Sequence, residues 1–221
     1  MREVVFLRNE ELKCLPAAPK LLGYVCDGEH LGVVYLLKAI STVRTQLDKD
    51  EFNWLRRIKG GLWFARLVKF FHSPTMPFGP FLVHNIDATH ILLDEDYIPK
   101  LFDFSWMTGG GIFPRESEHE TERPQMEKDA ESIMTQWNNV SELKYVDLPL
   151  VHRSFEADPY FYACDGSQIS WLVTECLHSV PDKRPSMEQV VRILEKLQVV
   201  HKHADLLEIK PKAPSKYWFD L

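Results

Sequence analysis

Apolar residues recur near helical spacing across 51–71, EFNWLRRIKGGLWFARLVKFF. Trp54, Leu55, Ile58, Leu62, Phe64, Leu67, Val68 and Phe71 carry the pattern. This predicts a long amphipathic helix. Gly60-Gly61 falls in its middle and weakens it, by about 1 kcal/mol per glycine relative to alanine. Residues 1–13 suit a second helix, with Val4, Val5, Leu7 and Leu12 set among charges and Pro16 and Pro19 ending it. Strand-like runs at 21–26 and 31–37 flank the turn residues Asp27-Gly28-Glu29. Helical patterns return at about 128–137, 167–177 and 186–198, and Ser186 with Gln189 forms a capping-box pair before the last. The segment 108–127, with its three glycines, acidic run and Pro124, predicts an exposed loop. The result is an α+β chain with N-terminal strands and a mainly helical second half.

The centre of the chain is its most informative stretch. Residues 82–107 read LVHNIDATHILLDEDYIPKLFDFSWM. Ile91-Leu92-Leu93 and residues 100–104 are strand-like, and Asp94-Glu95-Asp96-Tyr97 between them supplies turn-prone residues, which predicts a small hairpin. Asn85, Asp87 and His90 then sit in the loop leading into the hairpin, and Asp103 sits where the chain leaves it. Strand ends gathered this way are a common setting for chemistry.

Composition narrows the classes. The 221 residues carry 26 basic and 32 acidic side chains, for a net charge of −6. That argues against nucleic acid as a partner, because phosphate binding needs a clustered positive surface. No run reaches the ~20 apolar residues of a membrane span. The N-terminal MREVVFLRNEELK lacks the apolar core of a signal peptide. Cys14, Cys26, Cys164 and Cys176 have no metal-ligand spacing and read as reduced, mostly buried thiols of a cytoplasmic protein. The sequon Asn139-Val140-Ser141 leaves the secretory pathway open. His84, His90 and His119 lack the converging pattern of a transition-metal site and read as hydrogen-bonded or solvated histidines.

Three strings, in this order, resemble the protein kinase superfamily. PKLLGYVCDGEHLGVVYLL resembles the fourth and fifth strands of the small lobe, running into the hinge at about 35–38. LVHNIDATHILLDEDYIPKLFDFS resembles the catalytic loop, the following hairpin and the magnesium-binding segment. CLHSVPDKRPSMEQVVRILEKL resembles the last helices of the large lobe, with Arg184-Pro185-Ser186 in the Arg-Pro-Ser/Thr position. The Leu-Phe-Asp-Phe-Ser string at 101–105 is similar to degenerate members of the plant receptor-like kinase group.

The resemblance assigns roles residue by residue. A kinase catalytic loop reads His-Arg-Asp, then Leu-Lys, two further residues and Asn, before its Ile-Leu-Leu. Here Asn85 occupies the catalytic aspartate position, and an amide takes no proton near neutral pH. General-base assistance is worth about 10²–10⁴ in rate. Asp87 matches the loop lysine and would repel the phosphate. His90 matches the second-metal asparagine and is a poor ligand for a hard cation. Asp103 keeps the metal-binding aspartate, with Ser105 in place of the usual glycine. Glu3 matches the small-lobe helix glutamate, and Tyr35, Leu36 and Leu37 take the hinge positions that contact nucleotide. Pro124 and Asp129 match, more loosely, positions in the activation segment and the central helix. The glycine-rich loop and the Val-Ala-Ile-Lys lysine are not among these residues.

The resemblance thus implies a kinase-like fold with an abbreviated N-terminal lobe, 1–38, a helical C-terminal lobe, 39–200, and a tail, 201–221. It implies a pseudokinase that binds a protein partner, such as a kinase or receptor complex, with at most weak binding of ATP and magnesium. The alternative is a divergent active kinase, of the secretory-pathway type suggested by His72-Ser73-Pro74 and Gly79-Pro80-Phe81. An unrelated α+β binding module is the third reading.

Overall fold

A computed structural model of the chain describes residues 2–27, 30–47, 49, 51–73, 81–83, 86–102, 107–109 and 151–209. The N-terminal helix is two pieces, α1 (Arg2–Leu7) and α2 (Glu10–Lys13). The break has a cause in the sequence: the Asn9 side chain accepts a hydrogen bond from the Leu12 amide at 3.2 Å and so caps α2. Strands β1 (Lys20–Cys26) and β2 (Leu31–Leu36) form an antiparallel two-stranded sheet with a bulge between Leu21 and Gly23.

The chain then enters β3 (Ser41–Thr42), the short α3 (Val43–Leu47) and the long α4 (Trp54–Phe71). Asn53 begins α4, its side chain accepting from the Arg56 amide at 3.0 Å. Strands β4 (Phe81–Val83) and β7 (Met107–Gly109) pair with each other. Between them in sequence lie β5 (Ile91–Leu93) and β6 (Pro99–Leu101), and the second sheet runs β3-β5-β6. The hairpin strand expected at 100–104 is thus shorter and begins at Pro99.

The C-terminal part is helical: α5 (Ala163–Cys176), α6 (Met187–Glu195), α7 (Gln198–Lys202) and α8 (Ala204–Leu207). The capping box at Ser186 and Gln189 forms in both directions, at 2.7 and 3.3 Å. α7 is started from outside its own sequence. The fully buried Asp165 carboxylate of α5 accepts from the Gln198 and Val199 amides at 2.7 and 2.8 Å, meeting the unpaired N–H groups of a helix start.

Two apolar clusters share α4. Trp63, Leu67 and Phe71 face one that includes Phe6, Leu7, Leu12, Ile91, Ile98 and Leu101. Trp54, Ile58, Leu62 and Ala65 face the other, with Leu172, Val190, Leu194, Leu197 and Leu207. The first face recurs every four residues and the second at four- and three-residue intervals, so α4 is a buried spine with two apolar stripes, where the sequence pattern suggested one. Polar pairs fasten it to the C-terminal helices: Lys59 to Glu208 at 3.2 Å, and Arg66 to Glu195 at 2.7 Å.

The cysteines differ from expectation: all four are free thiols, but Cys14, Cys26 and Cys164 are exposed and Cys176 is half-buried. Cys26 ends β1, and Cys164 lies in the first turn of α5, where its thiol donates to the Gln198 side-chain oxygen at 3.1 Å. The expected helix at 128–137, the loop at 108–127, Pro124 and Asp129 lie outside the described residues.

Candidate functional site

The hairpin is a rigid platform. Ile91 pairs with Leu101 and Leu93 with Pro99. Asp94 organises the turn, its Oδ1 accepting from the Asp96 and Ile98 amides at 3.0 and 2.8 Å. Its Oδ2 lies 3.3 Å from Lys100 Nζ, which also donates to the Pro16 carbonyl. Tyr97 takes a left-handed conformation, φ 60°, an uncommon state for a non-glycine residue. It is held there by stacking on Phe52 at 5.8 Å between ring centres and by the Arg56 guanidinium 4.1 Å from its ring centre. The turn rests on α4 at Gly60, where an added Cβ would lie 3.4 Å from the Tyr97 carbonyl oxygen.

The segment after β2 is tied to this platform. The Ile40 amide donates to the Leu93 carbonyl at 2.8 Å, and Ser41 pairs with Leu93. The Arg44 amide donates to the Ala88 carbonyl at 2.7 Å. The hinge candidates therefore lead directly to the edge of the hairpin. Tyr35 is half-buried against the first core, Leu36 is exposed at the end of β2, and Leu37 follows it. Glu3 lies in α1, which packs against β1; its side chain is outside the described part.

Asp87 and His90 come together in the loop. Asp87 Oδ1 accepts from the Thr89 amide at 2.7 Å, from the Thr89 hydroxyl, and from the His90 amide at 3.2 Å. Its Oδ2 pairs with His90 Nδ1 at 2.5 Å, with both side chains about half exposed. The Thr89 hydroxyl, then His90, then the Thr89 amide pull the Asp87 carboxyl down to about 2. The anion is thus fixed by its own loop, and the ring nitrogen nearest to it is occupied. Among the described residues no group of three or more His, Cys, Asp or Glu side chains converges as a metal site.

Asn85 and Asp103, like His84, lie outside the described residues. The described residues flanking them are paired, Val83 with Met107 and Ile91 with Leu101. Arg184, in the Arg-Pro-Ser position, donates from Nε to the His178 carbonyl at 2.8 Å. Thr89 was not singled out from the sequence, although a hydroxyl two residues after an aspartate is a frequent Asx-turn partner.

The pseudokinase domain of BIR2, described as an immune regulator of the RLK/Pelle family, superposes with a TM-score of 0.59 at 20% identity, covering 93% of this chain and 74% of that one. The probable serine/threonine-protein kinase PBL7 of Arabidopsis thaliana is 32% identical over 94 residues, 40% of this chain and 24% of that protein. The chain thus has a kinase-like fold, and part of its sequence is similar to plant serine/threonine-protein kinases. Another kinase relative, the EPD1-interacting receptor-like cytoplasmic serine/threonine-protein kinase 5A of Gossypium barbadense, is 32% identical over 113 residues, 50% of this chain and 23% of that one. The chain spans about a quarter of the length of these curated kinases. No family model matches it. The kinase-like fold is shared with the BIR2 domain, and in this chain a two-stranded sheet, the 91–101 hairpin and a helical C-terminal part follow one another in sequence.

Proposed function

We propose that this kinase-like chain is a pseudokinase, a regulatory or protein-interaction scaffold that does not transfer phosphate. The observation that carries the reading is the closed Asp87–Thr89–His90 network. Phosphoryl transfer depends on positioning and on neutralising developing negative charge. On the sequence resemblance Asp87 matches the kinase loop lysine and His90 the second-metal asparagine; the Asp87 carboxylate is fixed and His90 is already paired with it. Asn85, at the base position, withdraws general-base help as well. In this reading Asp103 is left to hold a single cation, Tyr35, Leu36, Leu37 and Glu3 are remnants of a nucleotide cleft, and the lobes divide near residue 38. The partner is a protein, in keeping with BIR2 being an immune regulator, and the setting is cytoplasmic, like that of the receptor-like cytoplasmic kinases of Gossypium barbadense.

An active kinase is the second reading, favoured by the serine/threonine-kinase names of the relatives. Labelled ATP with magnesium separates the two. The 221-residue chain should incorporate no more phosphate, into itself or a generic basic substrate, than its Asp103→Ala variant. Mg-ATP should also leave its melting temperature unmoved, whereas ligand at ~100 times its Kd would stabilise by about 2.7 kcal/mol. Robust autophosphorylation abolished by Asp103→Ala would overturn the proposal.

A further inference from the structure

Away from the hairpin, α5, the turn at 181–185 and α6 enclose a groove of about 450 Å³. None of its lining residues belongs to the loop or strands described above. Trp171 forms one wall and is 53% exposed, an unusual position for so large an apolar ring. Lys183, Arg184, Arg192 and Lys196 bring positive charge to the same groove, against the carboxylates of Glu175 and Asp182. The whole chain is net negative, at −6, so this local excess of cations runs against the overall balance. Arg192 is paired with Glu188 at 2.9 Å along its own helix face, and the Arg184 guanidinium is oriented by the His178 carbonyl. Among the described residues, Lys183 and Lys196 meet no carboxylate.

We propose that this groove binds an extended acidic segment of a partner protein, one that also carries an apolar or aromatic side chain to cover Trp171. Charge complementarity sets the sign of the ligand. The concave shape and the ring fit a chain with side chains better than a flat anionic surface. Glu175 and Asp182 interrupt the positive lining and would oppose the unbroken charge of nucleic acid or an anionic bilayer, while a peptide can space its carboxylates between them. An exposed tryptophan beside cations is the composition of an interface anchor. The inference does not depend on whether the kinase-like site is active.

The test uses a short fluorescein-labelled peptide alternating glutamate and phenylalanine, with the full chain, read by fluorescence anisotropy. Binding should weaken with added salt. It should fall at least about tenfold in Lys183→Glu/Lys196→Glu, whose changes lie on the surface and reverse two ligand-facing charges. Trp171→Ala should reduce it to the level of an all-glutamate peptide. Unaltered melting of the variants confirms that folding is not the cause. Failure to bind, equal binding by the double variant, or equal binding of a lysine–phenylalanine peptide overturns the proposal. Tighter binding to anionic vesicles or to single-stranded DNA overturns the assignment to a protein segment. If replacing Glu116, Glu118, Glu120 and Glu122 with glutamine raises peptide affinity, the occupant is the chain's own acidic stretch and the partner assignment falls. Self-association abolished by the double variant points instead to a second copy and overturns it likewise. No arm involves nucleotide, so the pseudokinase reading stands or falls separately.

Discussion

Asp87 carries more hydrogen bonds than a half-exposed carboxylate ordinarily attracts, and all of them come from the next three residues. The consequence is a definite pH behaviour. The Thr89 hydroxyl first and His90 second lower its pKa to about 2, against roughly 3.9 for an unperturbed aspartate. A depressed folded-state value means that the loop is stabilised by the ionised form above about pH 4, and that this contribution is lost as pH falls toward 2. The expected result is a ¹³C NMR titration of the Asp87 carboxyl with a midpoint near 2, moving up in Thr89→Val. A wild-type midpoint near the ordinary aspartate value would show that the loop is not closed in this way. From sequence alone Asp87 was legible as an anionic loop residue, which the resemblance matches to a kinase lysine. That it is locked to His90 was not, because the contact depends on how the backbone turns between them.

The elements were easier to read than their ends. β1, β2, α5 and α6 follow the expected patterns because alternating or helically spaced apolar residues fix which face is buried. The strands at Ser41–Thr42, Phe81–Val83 and Met107–Gly109 were missed, since two or three residues carry no period, and partner strands far away in sequence define them. The glycine pair in α4 shows the same limit. Propensity reads both as weak points, yet the structure separates them. Gly61 is exposed with nothing within 4 Å of an added Cβ, while Gly60 is buried under the Tyr97 carbonyl. Gly61→Ala should therefore stabilise by about 1 kcal/mol. In a domain of this size that raises the melting temperature by roughly 2–4 °C. Gly60→Leu should lower it, because the side chain beyond Cβ has to displace the hairpin turn. Calorimetry in which the two substitutions act alike would refute the seating of the turn on α4.

At the scale of the whole molecule the question is whether two apolar clusters make two stability units or one. The kinase-like layout suggests separable lobes, but α4 contributes to both clusters, and Lys59 and Arg66 add ion pairs from α4 to Glu208 and Glu195. A helix of 18 residues cannot unravel along one stripe and keep the other, because the same backbone hydrogen bonds support both. The described parts of the two clusters should accordingly open together. Leu67→Ala removes a fully buried side chain from the first cluster and Leu62→Ala one from the second. Each should cost about 2–5 kcal/mol, the range for such truncations. Native-state hydrogen exchange distinguishes a shared unit from separate ones. With one unit, Leu67→Ala lowers the protection of α6 amides, such as that of Leu194, as much as that of hairpin amides, such as that of Leu93. Protection lost in the hairpin alone would mean that α4 does not couple the clusters.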